Sequence, residues 1–178
     1  MSSVSFNFPS VTLSATCIPA GDGVSGKIVV DMALATLGFT AGNGAGQINR
    51  VFRKNFTLAG AASEIINLFD FSDGGPDPVE DVLGRPFALT KVKGLIVQVT
   101  SATASASVEL GGEGSSAAWK GINGSGTVKI ADVEAGTPYL WFNRTGKDVT
   151  DATDHLLKLL NSHPSAPVTV AIFVLGSQ

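Results

Sequence analysis

The feature that most constrains this chain is the alternation of apolar residues at every second position. From Val168 to Val174, every second residue is apolar and β-branched. In an extended chain such residues all lie on one face. The same two-residue period recurs at 95–99, 108–110 and 128–130, and β-branched side chains fit the pleated surface of a sheet. The pattern therefore predicts β-strands that each bury one face.

Short turns rich in glycine and asparagine separate these apolar runs, as at Gly111–Gly112 and between Gly121 and Gly126. Strands at short, regular spacing with such turns are typical of a sandwich or a barrel. We predict an all-β fold: a single β-sandwich of the jelly-roll kind, whose two sheets leave few exposed edges. The predicted strands lie near residues 27–35, 47–57, 64–69, 92–101, 105–111, 127–131, 138–143, 155–161 and 167–175.

Two apolar segments fit either a strand or a short helix. The leucine-rich run at 155–160 follows Thr150 and Asp151, and either residue is a suitable N-terminal cap for a helix. Residues 61–69 are also compatible with one helical turn. The sequence leaves both alternatives open.

The chain is expected to form one domain preceded by an arm. Its 178 residues fit a single domain that buries a sizeable core. Residues 1–26 alternate less cleanly and are interrupted by Pro9, Pro19 and Gly21, which predicts an extended N-terminal arm or edge strand ahead of a sandwich at 27–178. The apolar residues of this arm are too many to leave in water, so they are expected to contact neighbouring subunits: Val4, Phe6, Phe8, Val11 and Leu13.

Charged residues are scarce, at 15% of the chain against about 25% in a typical soluble domain. A surface with few long charged side chains loses little rotamer entropy when a neighbour covers it, so the composition favours assembly. The net charge of −3 predicts no binding to nucleic acid or to an anionic membrane. No run approaches the ~20 apolar residues of a membrane span. No secretory signal is visible after Met1, so synthesis in a host cytoplasm is expected.

No arrangement of residues in the sequence signals catalysis. The chain has two histidines, His155 and His163, and one cysteine, Cys17. A nucleophilic site needs a base placed beside the nucleophile and an acid that orients the base, and no motif supplies them. The glycine-rich segment 42–46 lacks the Gly-Lys-Ser/Thr ending of a phosphate loop, which predicts a hairpin tip. We expect no enzymatic activity and no cofactor.

The long acidic loop at 71–86, together with Asp70 just before it, contains the one candidate metal site. Five carboxylates gather here within twelve positions, and Ca²⁺ takes six to eight oxygen ligands that one loop can supply in part. Their spacing does not match an EF-hand, so a solvated loop, or one that reaches basic residues on a neighbour, is the alternative. The candidate ligands are Asp70, Asp73, Asp77, Glu80 and Asp81.

Four aromatic residues gather in the second half of the chain: Trp119, Tyr139, Trp141 and Phe142. Aromatic side chains can line a platform that binds sugars. In the strands of a sandwich they more often anchor the core or an interface. Both interpretations remain open from the sequence.

The segment from Thr90 to Gly176 contains the Gly111–Gly112 turn, the corner Asn143-Arg144-Thr145-Gly146 and a final alternating strand that ends at Leu175–Gly176. This order of strands and turns resembles that of small virion structural proteins of tailed phages. It covers about half the chain and includes no catalytic signature. Among such proteins, head decoration, cement and minor capsid roles are usual, and this is what the resemblance implies here.

We therefore expect a virion structural protein, a capsid decoration, cement or minor capsid protein, that stabilises a bacteriophage particle through contacts between subunits. Its expected partners are copies of itself, in a trimer or another cyclic homo-oligomer, and other capsid proteins. One alternative is another virion component: a major capsid jelly roll, a tail-tube subunit or a head-fibre base. The other is a module that binds glycans or a host surface, which would need an aromatic-lined groove with converging polar groups.

Overall fold

The structure is a computed structural model that describes residues 11–17, 26–32, 38–71, 88–103, 105–111 and 114–178. Within these ranges the chain forms strands and turns and no helix, so the described part contains no helix capable of spanning a membrane. The contacts of the chain divide it into two compact units, Met1–Ala41 and Gly42–Gln178.

The first unit contains a two-stranded antiparallel ribbon. Strand β1 (Val11–Cys17) pairs with β2 (Gly26–Met32) over seven residue pairs, and β3 (Thr40–Ala41) ends the unit. Of the expected interface residues, two belong to β1, and the others lie outside the described residues. Their contacts with neighbouring subunits, and the expected division of the chain at residue 26, stay predictions.

The second unit contains nine strands within the described residues. They are β4 (Gln47–Ile48), β5 (Arg50–Leu58), β6 (Ser63–Asn67), β7 (Lys91–Thr100), β8 (Ser107–Gly111), β9 (Lys129–Glu134), β10 (Tyr139–Asp148), β11 (Leu156–Asn161) and β12 (Val168–Ser177).

Eight of these strands form two four-stranded antiparallel sheets. Sheet I has the order β10-β7-β12-β5, and sheet II has the order β6-β11-β8-β9. The first of the eight strands pairs with the last (β5 with β12), the second with the seventh (β6 with β11), the third with the sixth (β7 with β10) and the fourth with the fifth (β8 with β9). This is a long folded hairpin wrapped into two sheets. It is the connectivity of a jelly roll and confirms the predicted fold class.

The core lies between the two sheets and is built from the alternating residues. Val170, Ile172 and Val174 of β12 are fully buried, as are Leu157 and Leu159 of β11 from the opposite sheet. All five belong to one apolar cluster. Burying each such side chain contributes roughly 1.5–3 kcal/mol, so the two-residue period of the sequence is also the main source of stability.

Both of the segments whose sequence fits either a strand or a helix form strands. Residues 155–160 lie mainly in β11 and residues 61–69 mainly in β6, and these strands pair with each other, Leu157 opposite Ile66. Both of these residues are buried, whereas their strand neighbours are more exposed. Pairing with β8 on the other side of β11 places the leucine-rich run in the middle of sheet II.

Candidate interaction surfaces

The outer face of sheet I is apolar along its middle strands. Ile96 of β7 lies between two residues that face the interior cluster, so it faces outward. The register continues this row across the sheet, with Leu140 on one side of Ile96, Phe173 on the other, and Arg53 beyond Phe173. Leu140 is 39% exposed, whereas Ile96 is 2% exposed, so this row is open at its Leu140 end and covered in its middle.

A positive charge sits at the end of this row. The guanidinium carbon of Arg53 lies 5.2 Å from the centre of the Phe173 ring, which is a cation–π distance. Phe142 of β10 lies over Gly94, where a Cβ atom would come within 2.9 Å of its ring. The Phe142 ring therefore packs closely on the backbone of Gly94, and the charge of Arg53 lies against the ring of Phe173.

A β-bulge turns two consecutive residues of β7 to the outer face. Val92 and Leu95 both belong to the interior cluster, and the register with β12 shifts between them. An extra residue of this kind bends a strand and disrupts the alternation locally. Lys93 and Gly94 consequently both face away from the interior, Gly94 against Leu175 and Phe142 and Lys93 toward the turn at residues 42–47.

The ammonium group of Lys93 is enclosed by that turn. Its Nζ atom donates to the carbonyl oxygens of Gln47 at 2.6 Å, Gly44 at 2.7 Å and Asn43 at 3.3 Å, which uses all three of its donors. Lys93 is fully buried, and burial, followed by the positive charge of Lys91, lowers its pKa. We interpret Lys93 as a clamp that fastens the turn to sheet I, since none of its donors remains for a substrate.

The outer face of sheet II carries carboxylates beside apolar side chains. Leu160 of β11 stands opposite Glu109 of β8, which stands opposite Asp132 of β9. Like charges in direct register destabilise a sheet, and Lys129 offsets this because its Nζ lies 2.7 Å from Asp132 Oδ2. The hydrogen bond to Asp132, with the charges of Asp132 and Glu109, raises the pKa of Lys129. On the same face Ile65 is 44% exposed.

The described part of the sandwich contains a hollow where β5 and β6 leave its edge open. Lys54, Glu64 and the ring of Phe56 are among the residues that line it, and its volume is about 10 Å³. That volume holds about one water molecule, whereas small-molecule sites usually exceed about 300 Å³. This hollow is therefore too small for a substrate.

The two histidines have different surroundings. His163 Nδ1 accepts hydrogen bonds from the backbone N–H groups of Ala166 at 2.8 Å and Ser165 at 3.2 Å, so it shapes the turn before β12. His155 is 8% exposed, and its Nδ1 has no hydrogen-bond partner among the described residues.

The acidic loop falls largely outside the described residues. Asp70 is described and half-buried, whereas Asp73, Asp77, Glu80 and Asp81 are not. In the ranges that the structure describes, no three His, Cys, Asp or Glu side chains are grouped as metal ligands. The calcium site stays a prediction.

The four aromatic residues do not share one surface. Trp119 is 3% exposed; its Nε1 donates to the carbonyl oxygen of Asp148 at 2.9 Å, and its ring meets Trp141 edge-on with centroids 6.2 Å apart. Tyr139 and Trp141 pack against the interior cluster, where burial raises the pKa of Tyr139. Phe142 is on the outer face. Three of the four are thus core anchors.

Comparison with known proteins adds little. No protein-family model and no curated protein matches the chain. Two solved structures are similar in part. A mitogen from Yersinia pseudotuberculosis is 12% identical, with a TM-score of 0.39, over 74% of this chain and 89% of that one. A YbjQ-like protein of unknown function from Sulfolobus solfataricus is 14% identical, with a TM-score of 0.29, over 72% of this chain and 99% of that one. Likenesses this weak say nothing about function.

Two buried polar residues were missed from the sequence, Lys93 and Asn161. The signal for Lys93 was present, because alternation fails between Val92 and Leu95. Asn161 is 1% exposed and is the last residue of β11. Nothing in the sequence distinguishes this buried asparagine from an ordinary exposed one in a turn.

Proposed function

We propose that this chain is a structural protein of a virus particle, a capsid decoration, cement or minor capsid protein, and that it has no enzymatic activity. The observation that most supports the proposal is that the sandwich has an exposed apolar side chain on the outer face of each of its two sheets. Leu140 on sheet I and Ile65 on sheet II are 39% and 44% exposed. A protein that contacts neighbours on two sides can be built into a repeated lattice.

The physical work of such a protein is to bury area between subunits. A specific contact covers roughly 800 Å² on each partner, and many modest contacts reinforce one another when the copies are linked in one particle. The low content of charged residues, 15%, suits this role because few mobile side chains must be ordered. The resemblance over residues 90–176 points to the head of a tailed phage.

The first unit is proposed to carry part of these contacts. An isolated two-stranded ribbon is marginally stable at best, so β1 and β2 need a surface to pack on. Apolar residues alternate through Val11–Cys17 and Gly26–Met32, as expected for a ribbon with one apolar face. Addition of a strand to the edge of a neighbour's sheet is a known way to use such a segment.

Truncation tests this proposal. Removing residues 2–20 deletes β1, and removing residues 2–41 deletes the whole first unit. We expect both shortened chains to fold, because the sandwich core lies in the second unit, and to assemble poorly as measured by light scattering after gel filtration. Normal assembly by both would contradict the proposed role of this unit, and so would failure of both to fold, as measured by circular dichroism.

A further inference from the structure

Two asparagines of this chain are followed directly by glycine, Asn43 and Asn123. In such a pair the backbone nitrogen of the glycine can attack the side-chain carbonyl carbon of the asparagine. The new C–N bond closes a succinimide ring, and the side-chain nitrogen leaves as ammonia. Water then opens the ring to aspartate or isoaspartate, so the reaction consumes water, releases ammonia and needs no oxidant or reductant. Glycine permits the attack because it has no Cβ atom to hinder its nitrogen.

Ring closure requires the peptide plane between the two residues to rotate, and at Asn43 this plane is held in place. Lys93 donates to the carbonyl oxygens of Asn43 at 3.3 Å and Gly44 at 2.7 Å, and this lysine is fully buried. The N–H group of Gly44 donates to Gln47 Oε1 at 2.8 Å, so the attacking nitrogen is also engaged. Rotation at this site would strip partners from a buried ammonium group, which is costly.

At Asn123 the corresponding groups are open to water. Asn123 and Gly124 are both exposed, and within the described residues no hydrogen bond holds the carbonyl oxygen of Asn123. The N–H group of Gly124 donates to the carbonyl oxygen of Lys120 at 2.7 Å, and Asn123 Nδ2 donates to that of Lys129 at 2.7 Å. A Cβ atom at Gly124 would meet nothing within 4 Å, so the turn has room to move. Because water can replace both bonds, a local opening here costs little.

We propose that Asn123 is a site of spontaneous deamidation through Gly124, and that the Lys93 clamp protects Asn43 from the same reaction. The product is a carboxylate, which is charged at neutral pH and cannot donate to the carbonyl oxygen of Lys129. That hydrogen bond ties the turn at 121–128 to the first residue of β9, an edge strand of sheet II. Deamidation therefore frees the turn and uncovers a backbone carbonyl at a sheet edge, where unpaired groups can pair with another chain. The inference is independent of the proposed function, because the reaction involves one chain alone.

Ageing of the purified protein at mildly alkaline pH, followed by peptide mapping with mass spectrometry, tests the proposal. We expect Asn123 to convert to aspartate and isoaspartate at least about tenfold faster than Asn43, because the rate follows the population of the locally opened form. Gly124→Ala should slow the conversion of Asn123, since its methyl group hinders the attacking nitrogen. Lys93→Met should accelerate the conversion of Asn43 and leave that of Asn123 unchanged, so each asparagine serves as the control for the other.

Equal rates at the two asparagines of the wild type, or faster conversion of Asn43, would overturn the inference. So would an Asn123 that stays intact while an unstructured peptide of residues 120–128 converts fully. An unchanged rate at Asn43 in folded Lys93→Met would overturn the protective role of the clamp, and the wild-type comparison holds whether or not that variant folds. Asn123→Asp reproduces one product. Its backbone amides at 121–129 should exchange hydrogen faster than those of the wild type, and exchange at the wild-type rate would overturn the release of the turn.

Discussion

Asn161 ties three parts of the chain together, and its removal should be costly. Its Nδ2 atom donates to the carbonyl oxygens of Ala59 and Ala166, each at 2.8 Å, and more weakly to Leu58 at 3.3 Å. Its Oδ1 atom accepts from the backbone N–H of His163 at 3.0 Å. The side chain is 1% exposed, so water cannot replace these partners without a local opening.

The expected cost of Asn161→Ala follows from these bonds. Three of the four are of good length, and each contributes about 1 kcal/mol net, so the free energy of unfolding should fall by about 3 kcal/mol. For a protein of this size that corresponds to a melting temperature lower by about 6–12 °C. Guanidinium unfolding followed by tryptophan fluorescence measures the first quantity, and calorimetry measures the second.

Two further variants make this test specific. Ser162→Ala changes an exposed neighbour and should alter the free energy of unfolding by less than about 0.5 kcal/mol. Asn161→Asp preserves the shape and the acceptor for His163 but sets a carboxylate against two carbonyl oxygens, and should cost at least as much as the alanine. Asn161→Asp with wild-type stability, or Asn161→Ala no worse than Ser162→Ala, would refute the reasoning.

Three other changes have defined outcomes. Gly121→Ala places a Cβ atom 2.2 Å from the ring of Trp119 and should cost about 1–3 kcal/mol with a shift in tryptophan fluorescence. Gly124→Ala is the comparison: its Cβ atom meets nothing within 4 Å, but its φ is +68°, so it should cost only the strain of a left-handed backbone, about 1–2 kcal/mol. Lys93→Met should lower stability at neutral pH by about 2 kcal/mol and speed hydrogen exchange in the turn at 42–47. The pKa of Lys93 in the folded protein lies below the 10.5 of the unfolded chain, so between these two pKa values the unfolded chain binds more protons than the folded one. The stability of the wild type relative to Lys93→Met should therefore rise with pH in that interval. A stability difference that does not change with pH would contradict this. Assembly should be unaffected by three single substitutions, Cys17→Ser, His155→Gln and His163→Gln. Loss of assembly in any of these variants, if it is correctly folded, would reveal a functional site that was missed.

The positions of the strands could be predicted because burial of one face forces a two-residue period. All eight strands of the sandwich overlap the predicted ones, and only the choice between strand and helix at 155–160 and at 61–69 needed the structure. Residues 156–161 are held as a strand by pairing with residues 63–67 and 108–110. The pattern within one short segment does not show which distant strands it will pair with.

The surfaces could not be predicted for the same reason. No two neighbouring strands in sheet I are consecutive in the chain, so the row from Leu140 through Ile96 and Phe173 to Arg53 joins residues far apart in sequence. The strands of sheet I carry seven basic residues and one carboxylate, which becomes visible only when each strand is assigned to its sheet. The net charge of −3 does not indicate a basic sheet, because carboxylates elsewhere in the chain outweigh its positive charge.

The Lys93 clamp shows a second limit. A lysine in the middle of an apolar strand normally indicates a solvent-exposed position. Here a bulge turns it outward, and a separate turn then covers it with backbone carbonyl oxygens. The pairing depends on a loop conformation that includes Gly42 and Gly46 at positive φ, and sequence patterns do not encode loop conformation at that level.

The proposal that this chain is a repeated part of a larger assembly is tested most directly by the mass of the purified protein in solution. That mass is measured over a range of concentrations and combined with negative-stain images of the same sample. We expect a regular oligomer, such as a ring, a short stack or a shell, whose mass is a multiple of the 18.2 kDa chain. A single species of 18.2 kDa at every concentration, with no regular particles in the images, would contradict it.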